Sequence, residues 1–190
     1  MKTIRRLLST VPLLLLWLML SIFLWGFVFS LITDTGRENK LTLCVDAQVP
    51  GAVELAVRLE EGIEGSVRMV KVRPFSYAMF DERTLTEADL YLVPASRVET
   101  YGDWFRPLPD GTAEGKEILS RDGTPYGIKA YDAETKRGPA QGWIEYEAPG
   151  QEAEDFYLLF GEKSLHVPGN ENAADGVALT AAALLLGLAE

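Results

Sequence analysis

KLTLCVDAQVPGAVELAVRLEEG, residues 40–62, contains two hydrophobic periods in succession. Over residues 40–47 the apolar Leu41, Leu43 and Val45 alternate with Thr42 and Cys44, the two-residue period of a strand. Val49-Pro50-Gly51 interrupts the pattern. From Ala52 the spacing turns helical. Val53, Ala56, Val57 and Leu59–Glu60 step round one face, while Glu54, Arg58 and Glu61 take the other. Gly62 and Gly65 end the segment.

The same alternation of types continues downstream. Residues 67–73, VRMVKVR, predict a second strand, and 76–85 a short helix around Tyr77, Met79 and Phe80. Residues 89–94, DLYLVP, form a continuous apolar run, as expected of a third strand buried on both faces. Strands separated by helical segments at this spacing predict βαβ units and a mainly parallel sheet, with right-handed crossovers placing helices on its two faces. Residues 97–105 predict another short helix, carrying Tyr101 and Trp104. Residues 106–151 are rich in Gly and Pro and read as loops and short strands, with a turn and strand over 123–131 and a short edge strand over 143–146. FYLLF at 156–160 predicts a buried strand. A last helix is expected from about Asn172, its N-cap, with Asp175 at its third position. Its nearly all-apolar part, 177–189, is too short to span a membrane and is expected to pack on the sheet.

Upstream lies a different kind of segment. Residues 11–32, VPLLLLWLMLSIFLWGFVFSLI, contain no charge. A helix of that length rises about 33 Å, against a hydrocarbon core of about 30 Å, and within lipid a helix is the one single-segment way to pair every backbone polar group. Lys2, Arg5 and Arg6 precede it. The positive-inside rule then predicts a cytoplasmic N-terminus over 1–10, a single-pass anchor over 11–32, a polar linker over 33–39 and an extracytoplasmic α/β domain over 40–190 at the cell membrane. A cleaved signal peptide has a shorter apolar region and a small-residue cleavage site, and Phe29-Ser30-Leu31-Ile32 offers none. A buried core helix is rarely apolar on all faces for this length.

The chain has 190 residues, with 28 acidic and 18 basic side chains. All the acids follow residue 32, so the outer part is strongly negative. Such a surface excludes nucleic acid as an expected partner and disfavours anionic headgroups. It is compatible with a cationic ligand and keeps the domain soluble. The single cysteine, Cys44, permits no intrachain disulfide and reads as a buried small hydrophobe in a strand.

Several segments resemble the extracellular solute-binding proteins of ABC importers, in the sugar- and oligosaccharide-binding branch. Residues 40–62 look like the opening strand and helix of the first lobe. DERTLTEADLYLVPAS, 81–96, resembles the strand that ends at the cleft. RDGTPYGIKAYD, 121–132, with DFYLLFGEKSL, 155–165, is similar to the hinge-region pair, and NENAADGVALTAAALLLGLAE, 170–190, to the late helix of that lobe. Lys129 stands where the family has proline and Gly161 where it has asparagine. The family is two-lobed and closes on its ligand about a hinge, whereas the length here suits one lobe, the second being missing between Leu165 and the last helix. The resemblance implies a single periplasmic-binding-protein-like lobe that takes a small solute or docks with an ABC permease or another surface protein.

Candidate sites follow from the strand ends. In an open α/β sheet ligands sit at the carboxyl ends of the strands. Those positions are Asp46 and Gln48 after the first strand, Phe75, Ser76 and Tyr77 after the second, and Ser96 after the third. Tyr101 and Trp104 could stack on a sugar ring or hold a cation, or simply pack beneath a lid. For catalysis little is available. His166, the only histidine, is expected as a surface or loop residue rather than a base. No Ser/His/Asp or Cys/His arrangement can be argued, and DAQVPG between first strand and helix is not a phosphate-binding loop. Asp132, Glu134, Glu145, Glu147, Glu152, Glu154 and Asp155 could offer oxygens to a hard cation but read as a solvated acidic surface. No enzyme activity, cofactor or metal is expected. Two readings stand: a tethered solute-binding module, and a structural or regulatory module that binds a partner protein.

Overall fold

The computed structural model describes residues 2–33, 35–65, 67–78, 82–112, 115–147, 150, 152–169 and 176–188. They fall into two compact units, Met1–Thr35 and Gly36–Glu190.

The first unit is one helix, α1 (Lys2–Thr33), 32 residues long. Its stretch Val11–Phe29 has a mean hydropathy of 2.4 and none of it is buried. By this measure an anchor and a signal sequence fit the stretch equally. By length and composition the stretch can cross a membrane, since 19 residues rise about 28 Å as a helix.

The second unit runs β1 (Lys40–Val45), α2 (Ala52–Gly62), β2 (Met69–Pro74), α3 (Phe75–Ala78), α4 (Glu82–Thr86), β3 (Leu90–Pro94), α5 (Ala95–Val98), a 3₁₀ turn at Gly102–Trp104, β4 (Phe105–Arg106), β5 (Ile118–Arg121), β6 (Thr124–Tyr131), β7 (Phe156–Gly161) and α6 (Val177–Gly187). Among the described residues seven strands make one sheet in the order β2-β1-β3-β7-β6-β5, with β4 also on β7. β1 runs parallel to β2 and β3. The pairs β3–β7, β4–β7, β6–β7 and β5–β6 are antiparallel. The sheet is therefore mixed, and the expectation of a mainly parallel one is corrected. Parallel neighbours need a crossover element. The described part of 106–155 supplies no helix, so β5 and β6 join as a hairpin and β7 returns antiparallel beside β3. The hairpin turns at Asp122-Gly123, both with positive φ (51° and 80°), the geometry that an Asp-Gly pair favours.

Two apolar clusters cover the two faces. Leu41, Leu43, Val45, Leu90, Leu92, Leu158 and Phe160 meet Leu55 and Leu59 of α2 and Ala178, Ala181 and Leu185 of α6 on one face. Cys44, Tyr91, Val93 and Leu159 meet Phe75, Leu85 and Phe105 on the other. The alternation in β1 and β3 thus divides between two cores, which is why 89–94 reads as a continuous apolar run. Burial holds the Cys44 thiol up at about 12, leaving almost no thiolate at neutral pH.

Several local readings shift. In α2 the inward residues are Leu55 and Leu59, while Val53 is 73% and Val57 48% exposed. Apolar positions nearly encircle this helix, and the bulkier leucines, one turn apart, take the sheet. The helix expected over 76–85 is two short pieces, α3 and α4, and Met79 and Phe80 lie outside the described residues. Residues 143–146 form no strand: Trp143 ends a turn and Glu145 makes an isolated bridge to Gln48. The last helix starts at Val177; Asn172 and Asp175 are outside the described residues. The outer edge at β2 is blunted. Glu60 Oε1 accepts the Val70 amide at 2.6 Å, and Pro74 ends the strand with no N–H to offer.

Candidate functional site

Because β1, β2 and β3 are parallel, their carboxyl ends share one rim, with Val45 level with Pro74 on one side and Leu92 on the other. The chain leaves each strand there. Asp46 and Gln48 follow β1, Phe75 and Ser76 begin α3, and Ser96 and Arg97 lie in α5. These six, with Tyr146, Phe156 and three glutamates, line a cleft of about 330 Å³. That is near the lower end of the roughly 300–1,000 Å³ of small-molecule sites.

The residues expected to make contacts separate into three groups. Asp46, Gln48, Ser76 and Ser96 line the cleft. Tyr101 and Trp104 do not. Their rings stack at 4.6 Å and pack on Phe75, at 5.4 Å and 6.4 Å, as part of the second core. The third group is Tyr77, whose backbone is in α3 and whose side chain lies outside the described residues.

Asp46 is the innermost charge. Its side chain is 12% exposed, and Arg97 Nη1 approaches Oδ2 at 3.1 Å and Oδ1 at 3.2 Å. The hydrogen bond goes to Oδ1. Oδ2 is buried and accepts none among the described residues. Burial raises the Asp46 carboxyl above its ordinary value, Arg97 opposes this, and Glu154 adds to it. Arg97, at 52% exposure, is held up by Asp46 first and also by a hydrogen bond to the Tyr101 side chain. Tyr101 therefore steadies the guanidinium from outside the cleft.

The opposite wall comes from Glu145, Tyr146, Glu152, Glu154 and Phe156. Glu145 donates its amide to the Gln48 carbonyl at 2.9 Å. Glu154 Oε2 accepts the Ser96 amide at 3.1 Å, and Glu152 completes the rim. Sequence reasoning missed Arg97, Tyr146, Phe156 and the role of these glutamates. Arg97 carried a signal, since it directly follows Ser96 at the end of a strand. The glutamates carried none, because no periodicity places a loop across a cleft.

His166 is not at the surface: it is 1% exposed, and Ser164 and Asp89 are buried with it. Its Nε2 lies 3.2 Å from the carbonyl oxygens of both Arg37 and Lys40, which can only accept, so Nε2 carries the proton. Ser164 donates its hydroxyl to Asp89 at 2.6 Å. The trio closes the end of the sheet opposite the cleft and is covered from substrate. Among the acidic loops, Asp132 accepts the amides of Glu134 and Thr135 at 2.9 Å. Lys129 Nζ reaches Asp155, Asp132 and Glu117 at 2.9, 3.3 and 3.5 Å. Among the described residues no group of three or more His, Cys, Asp or Glu side chains is placed to hold a metal ion.

Compared with protein-family models, curated proteins and solved structures, the chain matches none.

Proposed function

We propose that this chain is a single-pass, membrane-anchored module whose extracytoplasmic domain binds a small solute, and does no chemistry on it, in the cleft at the carboxyl ends of β1, β2 and β3. The observation that carries the reading is the convergence of Asp46, Gln48, Ser76 and Ser96 on one concave site of ligand size. Its lining is mainly polar and charged, with Phe75, Tyr146 and Phe156 beside it, a more polar site than the mostly apolar pockets that take drug-like ligands. In α1, Val11–Phe29 serves as the anchor, with Lys2, Arg5 and Arg6 holding the N-terminus in the cytoplasm. A single solute-binding-like lobe covers a ligand from one side. Such a lobe suits weak capture and hand-over, for which an ABC permease is the natural recipient. The test is a thermal-shift screen of the compact unit Gly36–Glu190 with sugars, amines, amino acids and divalent cations. A ligand at 100 times its dissociation constant stabilises by about 2.7 kcal/mol, a shift of several degrees. If nothing shifts a cooperative transition, the solute-binding reading fails.

The alternative, a regulatory or structural module that binds a protein, draws on one observation. Val53 and Val57 stand exposed beside a groove of about 490 Å³ between α2 and β2, lined mostly by valine and alanine. Exposed apolar patches of this kind serve association. Cross-linking of the full chain in membranes, compared with Val53→Ser/Val57→Ser, tests it. A cross-linked adduct lost in the variant supports it, and unchanged adducts or none count against it.

A further inference from the structure

We infer that the solute of this cleft is a small organic cation, an amine, that takes the Asp46 carboxylate in exchange for Arg97. The inference rests on the solute-binding reading and adds the ligand's chemical class.

Three features of the cleft point the same way. First, the charges are unequal: Asp46, Glu145, Glu152 and Glu154 face a single guanidinium, Arg97. An anion entering the cleft would find its one cation already on Asp46 and three further carboxylates around it. A cation would meet attraction from each of them, strengthened by the low-dielectric walls. Second, the pair at the floor is incompletely bonded. Arg97 gives its hydrogen bond to Oδ1, and Oδ2 is shut off from water without one. Arg97 Nη1 lies 3.1 Å from Oδ2 but directs its hydrogen bond at Oδ1, whereas an ammonium brings three donors that can serve both oxygens. Third, the exchange is open on one side. Asp46 is held at the end of β1, its amide on the Leu92 carbonyl at 2.8 Å, whereas Arg97 is half in solvent at the end of the four-residue α5. The guanidinium can swing outward by giving up Asp46 and its hydrogen bond to the Tyr101 side chain, whereas the Asp46 backbone stays fixed at the end of β1. Tyr146 and Phe156, 8% and 4% exposed, line the cleft from the first core and leave only a narrow apolar strip for the alkyl part of a ligand.

Arg97 then acts as an internal competitor, and this separates the inference from a structural ion pair. The experiment is equilibrium dialysis of the full chain in nanodiscs of zwitterionic lipid, with empty nanodiscs as the blank. The probes are diaminobutane, the uncharged butanediol and the dianionic succinate, all built on a four-carbon chain. Diaminobutane is expected to bind and the other two are not. Arg97→Ala should tighten diaminobutane at least about fivefold, the low end of typical coupling between competing groups. Asp46→Asn should weaken it at least about tenfold, as loss of a desolvated charge partner does. Glu154→Gln, which leaves the floor intact, should weaken it less. Circular dichroism of each variant separates loss of binding from loss of fold.

Binding of butanediol or succinate as tight as that of diaminobutane would overturn the inference and leave the solute-binding reading standing. Diaminobutane binding that Asp46→Asn and Arg97→Ala leave unchanged would place the amine on surface acids and overturn it too. No binding to wild type or to Arg97→Ala would also overturn it, and the broader screen then decides the solute reading separately.

Discussion

Asp89 accepts the Ser164 hydroxyl at 2.6 Å across 75 positions of sequence, and its second oxygen accepts the Thr42 amide at 2.8 Å. One side chain thereby joins the start of β3, the turn after β7 and the middle of β1. The residue is 4% exposed, so water cannot replace it. Asp89→Ala removes the acceptor that Asp89 gives to a buried hydroxyl and a buried amide, and each donor that finds no other acceptor costs about 1–3 kcal/mol. We expect a loss of about 3 kcal/mol or more in urea unfolding of the domain. A loss below about 1 kcal/mol would mean that water or a shifted loop satisfies both donors.

At the other end of the sheet Asp46 makes stability depend on pH in an uncommon direction. Burial raises its carboxyl in the folded state. The native chain then binds a proton at pH values where the unfolded chain, near 3.9, has already released it. Stability tied to this group is fully present below the unfolded value and is lost as pH rises through the raised one. Between about pH 7 and pH 4.5 wild type should gain stability relative to Asp46→Asn as pH falls, by at most about 1.4 kcal/mol per pH unit. Asp132 and Glu147, both lowered by their hydrogen bonds, act with the opposite sign, are lost as pH falls through their lowered values, and cancel in the comparison. Paired urea titrations at a series of pH values give the slope. A gap that shrinks with acid would show that Arg97 outweighs burial.

Gly161 ends β7 opposite Phe105, and a Cβ built there would overlap the Ala88 carbonyl oxygen. The backbone of β7 approaches the chain before β3 this closely because the Gly161 amide donates to the Asp89 backbone carbonyl at 2.9 Å. Gly161→Ala must push two backbones apart in a packed region. The expected cost is about 3 kcal/mol, the upper end of overpacking effects. The melting temperature should fall by more than 5 °C on the usual scale for a domain of about 150 residues or fewer. An unchanged transition would mean that the Ala88 carbonyl moves freely. The close approach also accounts for glycine where the resemblance led one to expect asparagine.

What could be read in advance divides along physical lines. β1, β2, β3 and β7 were legible because alternation and burial are local properties of a strand. The direction of β7 was not, since FYLLF packs equally well parallel or antiparallel. The connection decides, and 132–155 holds no helical period. In α2 the apolar positions cover too much of the circumference for spacing to choose between Val53 and Leu55. The cleft was half legible. Asp46, Gln48, Ser76 and Ser96 follow from the rule about strand ends, whereas Glu152 and Glu154 arrive from a loop with no pattern. Tyr101 and Trp104 were ambiguous, because an aromatic in a short helix serves a core or a ligand equally well. Here Phe75 and Tyr91 take them into the core.

The segment before β1 is not a free linker along its whole length. Residues 33–39 read as a polar linker, yet from Arg37 on they are tied down. Arg37 Nη2 donates to the carbonyls of Lys163 at 3.0 Å and Glu87 at 3.2 Å, and Nη1 pairs with the Glu87 carboxylate at 3.3 Å. The Asn39 carbonyl accepts the Arg68 amide at 2.8 Å. His166 holds the carbonyls of Arg37 and Lys40 from below. Arg37 is 38% exposed in its side chain, so its ion pair alone is weak. The two carbonyls it bridges are what its loss would release. Arg37→Ala should lower the local opening free energy of this turn by about 1.4 kcal/mol, a tenfold rise in its open population, with little change in global unfolding. Glu38 is exposed in that turn. Cleavage after Glu38 by a glutamate-specific protease, at enzyme concentrations where opening is fast relative to cutting, reports that population directly. A tenfold faster cut in Arg37→Ala is the expected result. An equal rate in both proteins would show that His166 and the Asn39–Arg68 bond hold the turn without Arg37. Tenfold faster cutting together with a large fall in melting temperature would instead make Arg37 part of the global fold.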